Sequence, residues 1–345
     1  MSVVGAVVLA SRAPLSRRAH PTRASSRARV AAPSSATSPT SPSPFGPSQQ
    51  RRIASSPSSV PHRRAATTST RAMVVPALAN VLASHWALPA LWASCAPAVA
   101  LAYINPIYAF SVGYGLAVAF GTAFVYAAHV ASGAYTTTAL AWHMAGGAAY
   151  GVRLATFLFV RSVTWAEWRE RAKKAPEAKA TGFLKQTVVI ALCSALYAMM
   201  TSPMLWHAQN ANAMNAARYG VVVVVGLATQ WAGVLLEAAA DHQKYKFKAT
   251  ERGKTRWCDE GLYTRCRHPN YLGELLFWIG TYVAGAPAML TRPVTFIPAT
   301  LGLAFIVKLM LMAAKRGDAK QSEKYADNAE YKAWYDATCS LVPGN

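Results

Sequence analysis

The residues best equipped for chemistry lie between Trp231 and Gly280. Glu237 and Asp241 stand four apart at the end of an apolar run, so on a helix they share a face. Lys244 and Lys248 repeat that spacing. A polar loop with Arg252, Lys254, Arg256, Arg265 and Arg267 follows, and His268-Pro269 restricts the chain just before the next apolar run. Asn270 and Glu274 are again four apart, in the first turns of that run. A basic loop beside a helix N-terminus suits an anion, and the carboxylates and the Asn offer partners for a ribose or an amide. Together they could hold a nucleotide with its phosphates on the loop and its reactive end among the helices.

Two other nucleotide patterns fail. Gly253-Lys254-Thr255 looks like the end of a P-loop, but that motif needs Gly at position 248, where the chain has Lys248. No GxGxxG follows a strand. The histidines at 85, 129, 143, 207, 242 and 268 show no HxxxH or HExxH spacing, so no metal site is expected.

The elements that must position these residues are membrane helices. A span needs ~20 mostly apolar residues. Seven such runs are readable, at about 82–102, 107–130, 136–160, 186–205, 218–239, 271–290 and 294–313. Pro89 and Pro97 interrupt the first. The expected fold is therefore an all-α membrane protein of about seven transmembrane helices in a bundle. Seven Lys/Arg fall in 161–185, eight in 240–268 and five in the tail from 315, after helices three, five and seven. Those loops share one side, which marks a positive-inside face. Arg153, Glu237, Glu274 and Lys308 fall within the spans. Intramembrane charge is costly, so each is a site candidate. The plainer alternatives are interhelical salt bridges and, for Lys308, snorkelling to the interface.

Composition agrees with this picture. The 345 residues are 53% hydrophobic and 14% charged, whereas a soluble domain has about a quarter of its residues charged. Eleven of the formal +21 charges are arginines in residues 1–72, a stretch with no Lys and no acid; the first acid is Glu167. An Arg/Ser/Ala leader of this kind reads as a disordered organelle transit peptide. Its length and Ser/Pro content favour a chloroplast membrane over a mitochondrial or endoplasmic reticulum membrane. The charge of the remaining chain orients helices, so nucleic acid is not an expected partner. Five cysteines without a CxxC pair argue against a disulfide scaffold.

Gly261-Leu262-Tyr263 followed by Arg267-His268-Pro269-Asn270-Tyr271-Leu272-Gly273-Glu274 resembles the C-terminal signature of the steroid 5α-reductase superfamily, most closely its DUF1295 branch. Cys266 stands where that pattern carries Ser. Tyr150–Arg161 and the ending Tyr331, Tyr335, Pro343 are similar to the same branch. The resemblance covers about 150–345, which divides the chain into a leader (1–72), N-terminal substrate-side helices (73–149) and a C-terminal domain with cofactor loops (150–345).

The resemblance implies an NADPH-dependent membrane reductase. In that family a hydride goes to the β-carbon of an enone, a proton follows at the α-carbon, and an acidic donor stabilises the developing enolate. It implies cofactor contacts at Arg161, Glu237, Asp241, Lys248, Arg256, Arg267, His268, Asn270, Tyr271 and Glu274, with Lys315 and Arg316 in the tail near the phosphates. Glu237 and Lys248 depart from the steroid enzymes' Asn and Arg. The N-terminal Glu of those enzymes has no counterpart, because 73–149 contains no acid. Tyr103, Tyr108, Tyr114, Tyr126, His129 and His143 are the available donors there, and Tyr271 and Glu274 are further catalytic candidates.

Three readings follow: a reductase of a lipid-soluble sterol, polyprenyl or other isoprenoid enone; a membrane methyltransferase using S-adenosylmethionine; and a non-catalytic protein with a retained nucleotide pocket. The identity of the lipid and the oligomeric state are not written in the sequence.

Overall fold

The structure is a computed structural model that describes residues 76–166, 168–170, 182–211 and 216–341, without the side chains of 216 and 217. The leader 1–72, Glu167 and Pro343 lie outside the described residues. Among these residues the fold is helical, and pairing between extended segments is limited to one isolated bridge.

Each expected apolar run forms a helix. These are α1 (Ala87–Val99), α2 (Val112–Ala131), α3 (Thr138–Thr164), α4 (Phe183–Asn210), α5 (Ala216–Ala249), α7 (Pro269–Met289) and α8 (Phe296–Lys324); the short α6 (Glu251–Thr255) and α9 (Ala329–Ala337) lie in the polar segments. Local chemistry sets several ends. Thr137 accepts from the Leu140 N–H to cap α3. Pro269 opens α7, where its missing N–H leaves no bond unmade. Pro89 falls in the first turn of α1, so it is tolerated there; the chain instead bends by 119° between Pro76–Ala83 and Ala87–Tyr103.

By length and apolarity alone, four helices are able to cross a membrane (α2, α4, α5 and α8), or five if the bent pair at α1 is one span. Four or five of the seven expected spans therefore pass on apolarity among the described residues. α3 and α7 are long enough, but Arg153, Arg161, Asn270 and Glu274 lower their hydropathy. Arg153 and Glu274 are satisfied inside the bundle (below), so polarity there reflects interior position.

The helices run back and forth between two ends. At one end Tyr245 donates to Thr164, joining the ends of α5 and α3, and His268 Nε2 lies 2.8 Å from Asp318, joining the start of α7 to the end of α8. Tyr103, just past α1, bonds Thr187 of α4 at the same end of those helices. At the opposite end Gln209 donates to the Leu82 carbonyl, and Tyr282 bonds Thr300. The ends of α3, α5 and α8 from which the Lys/Arg-rich segments set out therefore lie on one side, as the charge bias requires.

Close packing comes from small residues. A Cβ on Gly115 of α2 would lie 2.6 Å from Ala155 N, and one on Gly151 of α3 would lie 2.6 Å from Ala119 N. Gly226 and Gly233 on α5 face Ala284 and Phe277 of α7 with similar intimacy. The expected boundary between residues 149 and 150 falls inside α3, and the described helices belong to one compact unit.

Candidate functional site

One buried polar group is a chain of side chains from three helices. Tyr114 at the start of α2 donates to Glu274 Oε1 at 2.9 Å, and its oxygen accepts from Trp278 Nε1 at 2.8 Å. The Tyr150 hydroxyl of α3 lies 3.1 Å from that of Tyr114. All four residues are buried. Tyr114 has one proton, directed at Glu274, so Tyr150 is the donor toward Tyr114. Glu274, Phe277 and Trp278 share a face of α7, and the Tyr150 ring stacks on Phe277 at 3.7 Å with 5° between planes. The glycine contacts of α2 with α3 permit the approach that joins the two hydroxyls.

One turn along α3, Arg153 bridges two acids of α5. Its guanidinium lies 2.6 Å from Glu237 and 2.7 Å from Asp241. Both carboxylates are buried. The i,i+4 spacing of Glu237 and Asp241 places them on one face, and Arg153 neutralises part of their charge. The salt-bridge alternative read from the sequence therefore holds for Glu237, with Arg153 as the partner.

The basic loop is largely knitted to itself. Lys248 donates to the carbonyls of Gly253 and Arg256 at 2.8 and 2.6 Å. Arg256 pairs with Asp259 and Glu330. Arg267 pairs with Asp318 at 3.1 Å, donates to the carbonyls of Tyr335 and Thr338, and lies over the Tyr335 ring. His268 also bonds Asp318 and stacks on Tyr271 at 5.2 Å. Arg161 sits over the Trp168 ring at 4.2 Å. Next to this knot is an open cavity of about 510 Å³ between α7, α8 and the tail; Leu275, Leu311, Lys315, Asp318, Tyr335 and Ser340 are among its walls. Asn270 stands in the first turn of α7 with its Oδ1 buried and without a hydrogen-bond partner.

The structure thus groups Glu237 and Asp241 around Arg153, and Arg267, His268 and Tyr271 around Asp318. Glu274 joins the tyrosine chain. Lys248 and Arg256 belong to the loop at the end of α5. His143 lies elsewhere: its Nδ1 is 2.9 Å from that of His207, in the buried stretch toward the opposite end. Tyr126 is on the outer surface of α2, 42% exposed. Sequence reasoning did not assign a role to Tyr150, Trp278 or Asp318. Tyr150 had a legible signal, since it precedes Arg153 by one helical turn; Asp318 is one of five acids in a tail of mixed charge and had none. Among the described residues, no group of three or more His, Cys, Asp or Glu is placed to hold a metal ion.

No curated protein and no solved structure matches the chain. Residues 114–338 match the family described as protein of unknown function (DUF1295). The match begins at Tyr114, earlier than the start near 150 read from the motifs, and takes in the helix that supplies Tyr114 to the buried site. It contains the Arg267–Glu274 signature, the Arg153 cluster and Asp318 as well, and on that span the chain belongs to the DUF1295 family, the steroid 5α-reductase-like branch of membrane proteins.

Proposed function

We propose that the chain is an NADPH-dependent reductase that saturates a conjugated C=C bond in a lipid-soluble sterol, polyprenyl or other isoprenoid enone. The Tyr150–Tyr114–Glu274 chain is the observation that carries this reading. Adding hydride to the β-carbon of an enone drives negative charge onto the carbonyl oxygen, and a donor aimed at that oxygen lowers the barrier. Tyr150 is the terminal hydroxyl of the chain, buried against Phe277 in this structure, and a substrate carbonyl must reach it there. With Glu274 protonated, the order of donation reverses: Glu274 to Tyr114, Tyr114 to Tyr150, and Tyr150 to the carbonyl oxygen. Trp278 holds the middle hydroxyl in place throughout. One proton enters the substrate per turnover, replacing the missing N-terminal Glu with a tyrosine pair backed by an acid of α7.

The residues present suit a nicotinamide nucleotide. The orphaned Asn270 Oδ1 can accept from a carboxamide N–H, and Lys315 lines the cavity beside Asp318, where it can meet a phosphate. When bound, NADPH supplies the hydride. Lys248, Arg256 and Arg267 shape the loop, because their donors are already engaged with the chain.

The test is transfer of deuterium from 4-deuterated NADPH to the β-carbon of an isoprenoid or sterol enone by the full-length protein in lipid nanodiscs. Asn270→Ala is expected to weaken NADPH binding about tenfold, the worth of one buried hydrogen bond. Unchanged NADPH affinity in both Asn270→Ala and Glu274→Ala sinks the reading; saturable binding of S-adenosylmethionine instead of NADPH redirects it to methyl transfer.

The reading includes a chloroplast membrane, on the strength of the acid-free leader 1–72. A fluorescent protein fused behind residues 1–72 is expected to enter plastids, and accumulation in mitochondria or cytosol would remove that assignment.

A further inference from the structure

Five cysteines occur in the chain, and two of them meet across a segment pairing that has no part in the chemistry above. Cys266 precedes the Arg267-His268 knot; Cys339 follows α9. They are the paired residues of an isolated parallel β-bridge. Main-chain bonds hold the register: Arg267 N–H donates to the Cys339 carbonyl at 2.8 Å, His268 N–H to the Ser340 carbonyl at 3.1 Å, and Cys339 N–H to the Arg265 carbonyl at 3.3 Å. Residues opposite each other in such a pairing sit about 4.7–4.9 Å apart with side chains on the same side. That spacing lies inside the Cα window of about 4.4–6.8 Å for a disulfide.

We propose that Cys266 and Cys339 form a reversible disulfide that staples the segment before α7 to the C-terminal tail. The accessibilities of the two sulfurs divide the roles. Cys339 is partly exposed, with its thiol at the surface beside the Arg265 carbonyl. Cys266 is buried, its thiol donating to the Ser340 and Leu341 carbonyls. Burial pushes the Cys266 thiol up to about 11, so it waits protonated.

The exchange partner is a disulfide oxidant, either glutathione disulfide or a protein dithiol–disulfide carrier. The Cys339 thiolate attacks one oxidant sulfur, the oxidant S–S bond breaks, and the leaving thiolate takes the proton that Cys339 gave up. Cys266 then attacks the Cys339 sulfur of the mixed disulfide, and its proton goes to the second leaving thiol. Two protein thiols are oxidised and one oxidant disulfide is reduced to two thiols. The reverse exchange with a dithiol opens the staple.

The staple has a consequence for the cavity. Tyr335, Ser340 and Leu341 belong to its wall. Ser340 also donates to Asp318 at 2.8 Å, the same acid that holds Arg267 and His268. Fraying of the tail would open this wall, and the cross-link removes that freedom. It also closes a long loop in the unfolded chain, containing α7 and α8, which disfavours unfolding.

The test needs neither cofactor nor substrate, so its failure is separate from failure of the reductase reading. Full-length protein in detergent is equilibrated across glutathione/glutathione disulfide ratios, quenched with a maleimide in denaturant so that buried thiols are reached, and digested with trypsin. At oxidising ratios two of the five thiols should become unreactive, and the C-terminal peptide beginning at Ala333 should carry the Cys266-Arg267 dipeptide through a disulfide. Dithiothreitol should restore all five. Cys266→Ser and Cys339→Ser, both near-isosteric, should each leave their four remaining thiols reactive at every ratio. Oxidised wild type should melt on the order of 5 °C or more above reduced wild type, with no such shift in either variant. Five reactive thiols in wild type at every ratio, or a linked peptide joining other cysteines, overturns the proposal.

Discussion

Replacing Tyr150 by Phe is expected to reduce turnover of an enone by roughly 10²–10⁴-fold, the usual contribution of a positioned proton donor. The loss should fall on kcat, with the dissociation constant for NADPH little changed. The Tyr150 ring keeps its stack on Phe277 when only the hydroxyl is removed. The Tyr114–Glu274–Trp278 trio also keeps its two hydrogen bonds. Tyr114→Phe has a different signature. It strands the Trp278 N–H and a Glu274 oxygen in the interior, at about 1–3 kcal/mol for an unsatisfied buried group. That variant should lose thermal stability as well as turnover, and Glu274→Gln should lose turnover because the chain then ends in an amide that cannot pass a proton. Steady-state kinetics on one deuterated substrate pair, together with melting curves, separate the three. Wild-type turnover in Tyr150→Phe would remove the proton chain from the mechanism.

Arg153→Met is expected to be the most damaging single change to the fold. It removes the cation that faces both Glu237 and Asp241. Breaking one partner of a buried ion pair costs about 3–5 kcal/mol, because the remaining charge has no solvent to turn to. Here two acids lose the same partner. The expected readout is a large fall in melting temperature and in the yield of monodisperse protein. A triple variant, Arg153→Met/Glu237→Gln/Asp241→Asn, should recover most of the loss, since it removes the unpaired charge while keeping the shape. If Arg153→Met melts with wild type, the cluster does not join α3 to α5 in the way the distances indicate.

These two clusters were unequally legible. Glu237, Asp241, Asn270 and Glu274 stand out in the chain because their i,i+4 spacing places each pair on one helix face next to a run of base. The apolar runs, their approximate ends and the one-sided Lys/Arg distribution follow from local composition, and the structure keeps them. Where it departs, the reason is polarity turned inward. α3 and α7 are helices of the expected place but fall short of the hydropathy of a lone span, since they carry charged and amide groups; Arg153 and Glu274 find their partners in neighbouring helices. α5 and α8 continue past their apolar stretches, carrying Asp241, Lys248 and Asp318 beyond the ends that apolarity suggested.

By itself, then, the sequence determined the helical class, the common end at which the basic segments meet and the family-defining run Arg267–Glu274. Each depends on residues near one another in the chain, where periodicity and charge count are sufficient. Only the tertiary structure decided which groups meet across the bundle. Tyr114 and Glu274 are far apart in sequence, and so are Arg153 and Glu237, Arg267 and Asp318, and Cys266 and Cys339. Helical spacing names the face a side chain occupies but not the helix that faces it. That choice is set by how closely backbones pack at residues such as Gly115 and Gly151, where a single methyl group would force the helices apart. The same packing decided that Lys248, Arg256 and Arg267 spend their donors within the chain and that Asn270 keeps an acceptor to spare.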